Sequence, residues 1–336
     1  MRRSKTWISQ ALSTLQENVD RVGDPLGFKN PYWTRWADEL HLPREGSTVL
    51  LTGRMYQMLP FVVQTTQLAA ALRPMFAVRG FEKFVALGNR VAGPAVIRLR
   101  ARRERALARR GEEILKGILS GLRAAGEHPS YLYEAEPYSG VLPHDLGLED
   151  NTARHVGKVC RLLKQRDVRT VITVDPHTTV MLREIYPSYV RGYDIQVKHY
   201  LEYLSEGVRE LEISTPQGLP ESFVLHDPCV MARDLGMTDL IRKVVREIGL
   251  TVLEPQNTKL DTACCGGPVE YGFADLSERI SLIRAKELAG VSRDVLVLCP
   301  ICLINLLRHE KALGIRVWDF GEVLYAMMKE ASPGRE

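Results

Sequence analysis

Five of the six cysteines in this 336-residue chain lie in three short blocks of its C-terminal half. They are Cys229, the adjacent Cys264 and Cys265, and the C-x-x-C pair Cys299 and Cys302. Thiolates are soft ligands that select iron–sulfur clusters, zinc or Cu(I). Because a structural zinc ion needs only four ligands, five thiolates favour a cluster with several irons. A zinc site and a set of buried, metal-free cysteines are the alternatives.

Two predicted strands bring these cysteines to one place. Residues 223–226 and 295–298 are short apolar runs typical of buried strands, and each leads into a turn that carries a cysteine. Strand-then-helix units build parallel sheets, whose sites lie beyond the carboxyl ends of the strands. We therefore expect Cys229 and Cys299 at that edge, with the glycine-flanked loop at 264–265 bending over them.

The three cysteine blocks resemble the CCG domain, a cysteine-rich domain of iron–sulfur proteins. They read His226-Asp227-Pro228-Cys229, Cys264-Cys265-Gly266-Gly267 and Cys299-Pro300-Ile301-Cys302. This domain occurs in the B and D subunits of heterodisulfide reductase and in the iron–sulfur subunits of glycolate oxidase and anaerobic glycerol-3-phosphate dehydrogenase. The resemblance implies that all five cysteines hold one [4Fe-4S] cluster of the noncubane type.

The N-terminal half resembles a second copy of this domain without its cysteines. Residues 47–52 and 168–174 are predicted strands, and each runs into a turn similar to the family's cysteine turns. The positions of the family's thiolates are taken by harder or uncharged side chains, namely Arg54, Tyr138, Ser139, Asp175 and Thr178. We expect an α/β protein made of two tandem Rossmann-like domains with parallel sheets, related by a pseudo-twofold axis, of which only the second binds a cluster.

This duplication predicts three parts in the chain. Residues 1–45 form a helical linker, 46–200 the degenerate domain and 201–336 the intact domain. A helical, arginine-rich insertion at about 75–125 lengthens the first copy. In the D subunit of heterodisulfide reductase a ferredoxin-type module precedes the linker, whereas no cysteine precedes Cys160 here. Electrons are therefore expected from another chain, either a ferredoxin-type iron–sulfur protein or a flavoprotein.

Other residues are candidates for roles around the site. His226 can hydrogen-bond near the cluster, and Arg54 can bind a carboxylate or phosphate of a substrate. Asp175 and His177 can help to hold a hard metal ion. The alternative for all four is a purely structural role. Cys160 lies in a predicted helix and is expected to be a small buried hydrophobic residue.

Composition excludes several classes of protein. The formal charge of +4 is too small to indicate nucleic-acid binding, and no run of 18 apolar residues predicts a membrane span. No apolar segment follows the basic N-terminus, so a signal peptide is not expected. We predict a cytoplasmic protein that reaches a membrane through a partner. The arginine-rich insertion is either a solvated helical face or a surface that docks on an acidic partner or anionic lipid headgroups.

Together these features predict an oxidoreductase subunit similar to heterodisulfide reductase. It would pass electrons to a (hetero)disulfide or similar small-molecule acceptor, or reduce it, at a single [4Fe-4S] cluster. Two alternatives stay open. The chain could relay electrons for a flavin-linked dehydrogenase, or it could be a non-catalytic assembly subunit that binds zinc or a structural cluster.

Overall fold

The computed structural model describes residues 2–78, 80–91, 93–207, 216–270 and 272–331, and it shows an α/β protein with two parallel sheets. The first sheet consists of β1 (Thr48–Leu51), β2 (Ser130–Tyr131), β3 (Thr170–Thr173) and β4 (Gln196–His199). The second consists of β5 (Ser222–Leu225), β6 (Thr251–Leu253), β7 (Asp294–Val297) and β8 (Arg316–Asp319). Most of these strands are apolar and buried, as parallel strands covered on both faces are.

Both sheets have the same strand order. The orders are β2-β1-β3-β4 and β6-β5-β7-β8, and every pairing is parallel. In each half the chain crosses to opposite sides of the first strand, which creates a topological switch point where parallel sheets bind ligands. The predicted fold class, a duplicated Rossmann-like α/β protein, is confirmed.

Helices cover the sheets and link them. In the first half they are α1 (Arg2–Val22), α2 (Leu59–Leu72), α3 (Phe81–Val91), α4 (Gly93–Ala101), α5 (Arg105–Ala124), α6 (Val141–Asp145), α7 (Glu149–Gln165), α8 (Pro176–Val180), α9 (Tyr186–Tyr189) and α10 (Tyr200–Gly207). In the second half they are α11 (Cys229–Arg233), α12 (Thr238–Glu247), α13 (Ala274–Ala289), α14 (Pro300–Leu307), α15 (Glu310–Leu313) and α16 (Phe320–Ala331). A π-helical turn at Met181–Ile185 joins α8 to α9.

The arginine-rich insertion is helical, as expected, but its last helix is not a solvated face. Ile114, Ile118 and Leu122 of α5 are fully buried, and α5 packs along α16 of the second half. At the crossing, a Cβ added to Gly117 would overlap the carbonyl oxygen of Gly321. The missing side chain thus lets the two helix backbones touch, and one core runs through both halves.

Within the described residues, no helix has both the length and the apolar character needed to cross a bilayer.

Candidate metal centre

Cys299 and Cys302 lie where β7 ends and α14 begins. Cys299 has an extended backbone, with φ −145° and ψ 127°, and Pro300 then opens the helix. The backbone N–H of Cys302 donates to the Cys299 sulfur. Both cysteines are buried, at 1% and 3% exposure. The proline and the helix N-terminus therefore place the two sulfurs together beside amide dipoles that favour negative charge.

Cys229 lies beyond β5, the strand next to β7. Val224 and Leu225 pair with Val295 and Leu296, so the two strands end at the same edge of the sheet. The helix α11 starts at Cys229 after the extended Pro228. The prediction that the carboxyl ends of these strands deliver the cysteines to one crevice agrees with this geometry.

The Cys264–Cys265 pair lies in a loop whose shape depends on the two following glycines. Gly266 has φ +83°, and its N–H donates to the Cys264 sulfur at 3.3 Å. A Cβ on Gly267 would overlap the side chain of Ile301 in α14. Only glycine fits both positions, because the first needs a left-handed backbone and the second a close approach. The loop is thereby pressed onto the N-terminus of α14.

The sulfurs of all five cysteines form one continuous group. Hydrogen-bond contacts join Cys229 to Cys264, Cys264 to Cys265, Cys265 to Cys302, and Cys302 to Cys299. None of the five is in a disulfide. Donors from Cys229, Cys265 and Gly266 lower the pKa of the Cys264 thiol. The structure thus holds five thiols together, and the lowered pKa of Cys264 favours its thiolate, the form that binds metals.

His226 presents an N–H group to this centre. Arg284 Nε donates to His226 Nδ1 at 3.0 Å, and since arginine has no acceptor, the ring proton lies on Nε2. Burial, with the Arg284 charge, lowers the pKa of His226 to about 3, so the ring is neutral. Nε2 is buried without a hydrogen-bond partner, and a ring nitrogen of His226 and the sulfurs of Cys265 and Cys302 all lie within 4.8 Å of one another.

The unpartnered Nε2–H of His226 bears on whether the site suits a zinc ion or an iron–sulfur cluster. A zinc ion would need a free lone pair on Nε2 to use His226 as a ligand, and the Arg284 hydrogen bond opposes that tautomer. An anionic, sulfur-rich group would instead accept the hydrogen bond. Five thiols and one buried N–H donor therefore fit an iron–sulfur cluster.

Asp227 fixes the turn between β5 and Cys229. Arg242 donates to both oxygens of the Asp227 carboxylate, at 2.8 Å each. The Lys259 N–H and the Thr258 hydroxyl also donate to this carboxylate, at 2.8 Å and 3.1 Å. Burial raises the pKa of Asp227, but these donors outweigh it and lower the pKa below the usual value. The carboxylate thus ties Cys229 to the loop that leads to Cys264. Sequence reasoning missed Arg242 and Arg284, since neither lies in a cysteine block.

The first half supplies His177 to the same centre. This half-buried residue in α8 makes a side-chain hydrogen bond to the Cys299 sulfur of the second half. Burial lowers the pKa of His177, but the Cys299 thiolate outweighs it and raises the pKa to about 9. Burial raises the pKa of Cys299, yet hydrogen bonds from Cys302 and His177 lower it overall. The N-terminal half therefore forms part of the wall of the site.

Asp175 and His177 contact different groups: His177 bonds to Cys299, and Asp175 bonds to the first turn of α8. Asp175 Oδ1 caps α8 by accepting from Thr178 N at 2.9 Å, while Oδ2 is buried without a partner. Burial raises the pKa of Asp175 to about 6. Among the described residues, the one group of three or more ligand atoms within 4.8 Å of one another is His226, Cys265 and Cys302. Asp175 and His177, the candidate pair for a hard metal ion, are therefore not part of a group of three ligand atoms of described residues within this distance.

Arg54 lies in the interior of the first half. It is 1% exposed, and it donates to Asp24 Oδ2 at 2.9 Å and to the Glu136 carbonyl oxygen at 2.5 Å. Asp24 is also fully buried, so the N-terminal segment is pinned to the first domain by an internal ion pair. These contacts are those of the structural role that the sequence left open for Arg54 beside binding of a substrate anion. Cys160 packs against the core, and burial raises the pKa of its thiol to about 11.

Comparison with known proteins gives the class of protein. No protein-family model matches the chain. It is 27% identical over 223 residues to the probable iron–sulfur-binding oxidoreductase FadF of Bacillus subtilis, which covers 64% of the chain and 31% of FadF. It is 26% identical over 234 residues to the EtfAB:quinone oxidoreductase of Syntrophomonas wolfei, covering 66% and 32%.

A further relative belongs to a heterodisulfide reductase. Over 124 residues the chain is 29% identical to the D subunit of the dihydromethanophenazine:CoB–CoM heterodisulfide reductase of Methanosarcina mazei, covering 36% of the chain and 30% of the relative. The resemblance read from the cysteine blocks is confirmed: the chain is related to iron–sulfur oxidoreductases that include the D subunit of heterodisulfide reductase. It spans about a third of the length of these relatives.

Proposed function

We propose that this chain is an iron–sulfur redox subunit whose five C-terminal cysteines hold a single [4Fe-4S] cluster of the noncubane type. The ligands would be Cys229, Cys264, Cys265, Cys299 and Cys302. The continuous contact among their five sulfurs carries the proposal, because a single zinc ion needs only four. A bound cluster would supply one-electron transfer at a crevice between the two domains, which we place at 46–200 and 201–336.

The chain's own residues would tune this centre. His226 Nε2 would donate to a sulfur of the cluster or of its ligands, and Gly266 N–H already donates to Cys264 at 3.3 Å. Hydrogen bonds to sulfur stabilise the more negative, reduced form and so raise the reduction potential. His177 would shield Cys299 from the side of the first domain.

We propose further that electrons pass from this centre to a disulfide or similar acceptor. Reduction takes two electrons and two protons, breaks the S–S bond and releases two thiols. The kinship with the D subunit of heterodisulfide reductase supports this acceptor, while that with the EtfAB:quinone oxidoreductase supports relay for a flavin-linked dehydrogenase. In either case a ferredoxin-type or flavoprotein partner would supply electrons on the cytoplasmic side.

The test is metal analysis of protein purified without oxygen. We expect iron and acid-labile sulfide in equal amounts at the level of one [4Fe-4S] cluster per chain, with an EPR signal in one redox state. Cys265→Ser should lose the cluster, whereas Cys160→Ser, the cysteine outside the centre, should keep it. Stoichiometric zinc without sulfide, even after anaerobic reconstitution, would overturn the proposal.

A second measurement separates the two acceptors. An EPR signal that changes when a disulfide is added to the isolated protein would support reduction at the cluster. A signal that responds only to a reduced flavoprotein and an external acceptor would assign the chain to electron relay.

A further inference from the structure

Residues 73–109 of the first half carry an unusual surface, which we call the basic–apolar surface. It comprises the 3-10 turn Arg73–Ala77, α3, α4, the turn Arg102–Glu104 and the start of α5. Of the eleven large hydrophobic side chains that are exposed among the described residues, six lie here. They are Met75, Val78, Phe84, Leu87, Val96 and Leu99, at 44–71% exposure. More than half of the exposed large apolar side chains thus lie within one short segment.

Aromatic packing anchors this surface to α1. A series of ring contacts leads outward from α1, with Trp7 to Phe76 at 5.1 Å, Phe76 to Phe81 at 5.2 Å and Phe81 to Phe84 at 6.1 Å. Phe76 is 6% exposed and Phe84, at the outer end, is 71% exposed. One side of α3 is therefore anchored against α1, and Phe84 is held out from the body of the protein.

The same segment is strongly basic. Residues 73–109 contain ten arginines and lysines against two glutamates, a formal charge of +8, while the whole chain carries +4. The rest of the chain is therefore net negative. Within the part of the chain that the structure describes, the exposed Arg102, Arg103 and Arg105 form no ion pair. Their charge is free to meet an anionic partner.

Cationic and apolar side chains are interleaved along α4. Exposed Val96 and Leu99 alternate with Arg98 and Arg100. This mixture also occurs at protein–protein interfaces, where arginine and aromatic side chains are enriched. A bilayer surface suits it, because apolar side chains enter the acyl boundary while arginine heads stay at the phosphate level.

We propose that the basic–apolar surface docks the protein on a membrane that contains anionic lipids. Phe84, Leu87 and Leu99 would enter the interface, and Arg102, Arg103 and Arg105 would contact lipid phosphates. The proposal does not depend on a cluster at the metal centre, since none of these residues belongs to it.

Vesicle flotation of the full chain tests the proposal. We expect the protein to float with vesicles of phosphatidylcholine mixed with phosphatidylglycerol, but not with phosphatidylcholine alone, and to float less as salt is added. The double variant Phe84→Ser with Leu87→Ser should lower the affinity for these vesicles by about tenfold or more. Its control is Ile283→Ser on α13, which removes a side chain that is 70% exposed elsewhere and should leave binding unchanged.

The charge is tested by a second pair of variants. Arg102→Gln with Arg103→Gln should weaken binding to anionic vesicles by roughly thirtyfold, the loss expected for two cations near the lipid surface. Arg166→Gln with Arg169→Gln removes the same charge from two exposed arginines outside the surface and should have little effect. Circular dichroism and iron content check that each variant is folded.

Three outcomes would overturn the proposal. One is the absence of binding to anionic vesicles at low salt, and another is an equal loss of binding in the control variants. The third is that the Phe84 and Leu87 variant keeps vesicle binding but releases a co-purifying protein. That result would assign the surface to a protein partner.

Discussion

Substitution of Arg242 by methionine tests whether the buried ion pair with Asp227 holds the turn before Cys229. Arg242 is 3% exposed and Asp227 is fully buried, and the two are joined by contacts of 2.8 Å to both carboxylate oxygens. Methionine keeps most of the apolar volume but removes the charge. The carboxylate would be left with Thr258 Oγ1 and Lys259 N as its donors.

The expected loss of unfolding free energy depends on the donors that remain to the Asp227 carboxylate. Removing one partner of a buried ion pair costs about 3–5 kcal/mol of unfolding free energy, because the other charge is left unpaired. Two donors to Asp227 remain, so we expect the lower end, about 3 kcal/mol. The matched control is Arg316→Met, since Arg316 pairs with Asp294 at 2.7 Å but is 59% exposed. Such a surface pair contributes about 0–1 kcal/mol.

Urea unfolding at matched metal content measures both variants at neutral and acidic pH. The lowered pKa of Asp227 stabilises the wild-type protein above the unfolded value of about 3.9, and this contribution is lost as the pH falls through the folded value. In Arg242→Met the carboxyls of Asp227 and of Glu254, to which Arg242 also donates at 2.7 Å, should have higher pKa values and take up protons more easily. The difference from wild type should therefore shrink on acidification.

Two results would refute this reasoning. One is a loss in Arg242→Met that does not exceed the loss in Arg316→Met, which would mean that the buried pair adds nothing beyond a surface pair. The other is a difference from wild type that does not change with pH, which would mean that neither Asp227 nor Glu254 depends on Arg242 for its charge.

Three further predictions concern other parts of the molecule. Gly117→Ala should cost about 2 kcal/mol in urea unfolding, since its Cβ would overlap the Gly321 carbonyl, whereas Gly157→Ala in α7 should be neutral or stabilise by about 0.5 kcal/mol. Burial raises the pKa of Asp319 to about 8, so the folded state keeps a proton that the unfolded state loses. The free energy of unfolding should therefore fall as the pH rises from about 4 to about 8. In Asp319→Asn, the midpoint of thermal unfolding should depend less on pH over this range. His226→Leu should lower the reduction potential in an EPR-monitored titration, while His226→Gln, which keeps an N–H donor, should restore part of it; equal potentials in both variants would contradict the hydrogen bond.

Local sequence patterns predicted the features that local patterns control. The apolar runs at 223–226 and 295–298 correspond to β5 and β7, each shifted by one residue, and the cysteines follow them because proline and glycine dictate those turns. The duplication was also readable, since the two halves share the order of their strand and turn signals. The five candidate ligands therefore needed no structure to be grouped.

Pairings between distant residues could not be read in this way. The sequence left Arg54 either a substrate anion or a structural role, and it did not indicate the partner found in the structure, Asp24, thirty residues upstream. Arg284 sets the tautomer of His226 from 58 residues away. The arginine-rich insertion was predicted as a solvated face or a docking surface, and its pattern did not show that α16 covers α5.

The crossing of α5 and α16 has a consequence for how the duplicated chain can be taken apart. A repeat protein is often treated as a pair of interchangeable modules, yet here a helix of the first repeat serves as part of the shell of the second. Cutting the chain near residue 200 would leave α16 with a bare apolar stripe at Val323, Leu324 and Met327, all fully buried in the intact protein. The N-terminal half, which holds none of the five grouped cysteines, therefore completes the core of the half that holds them.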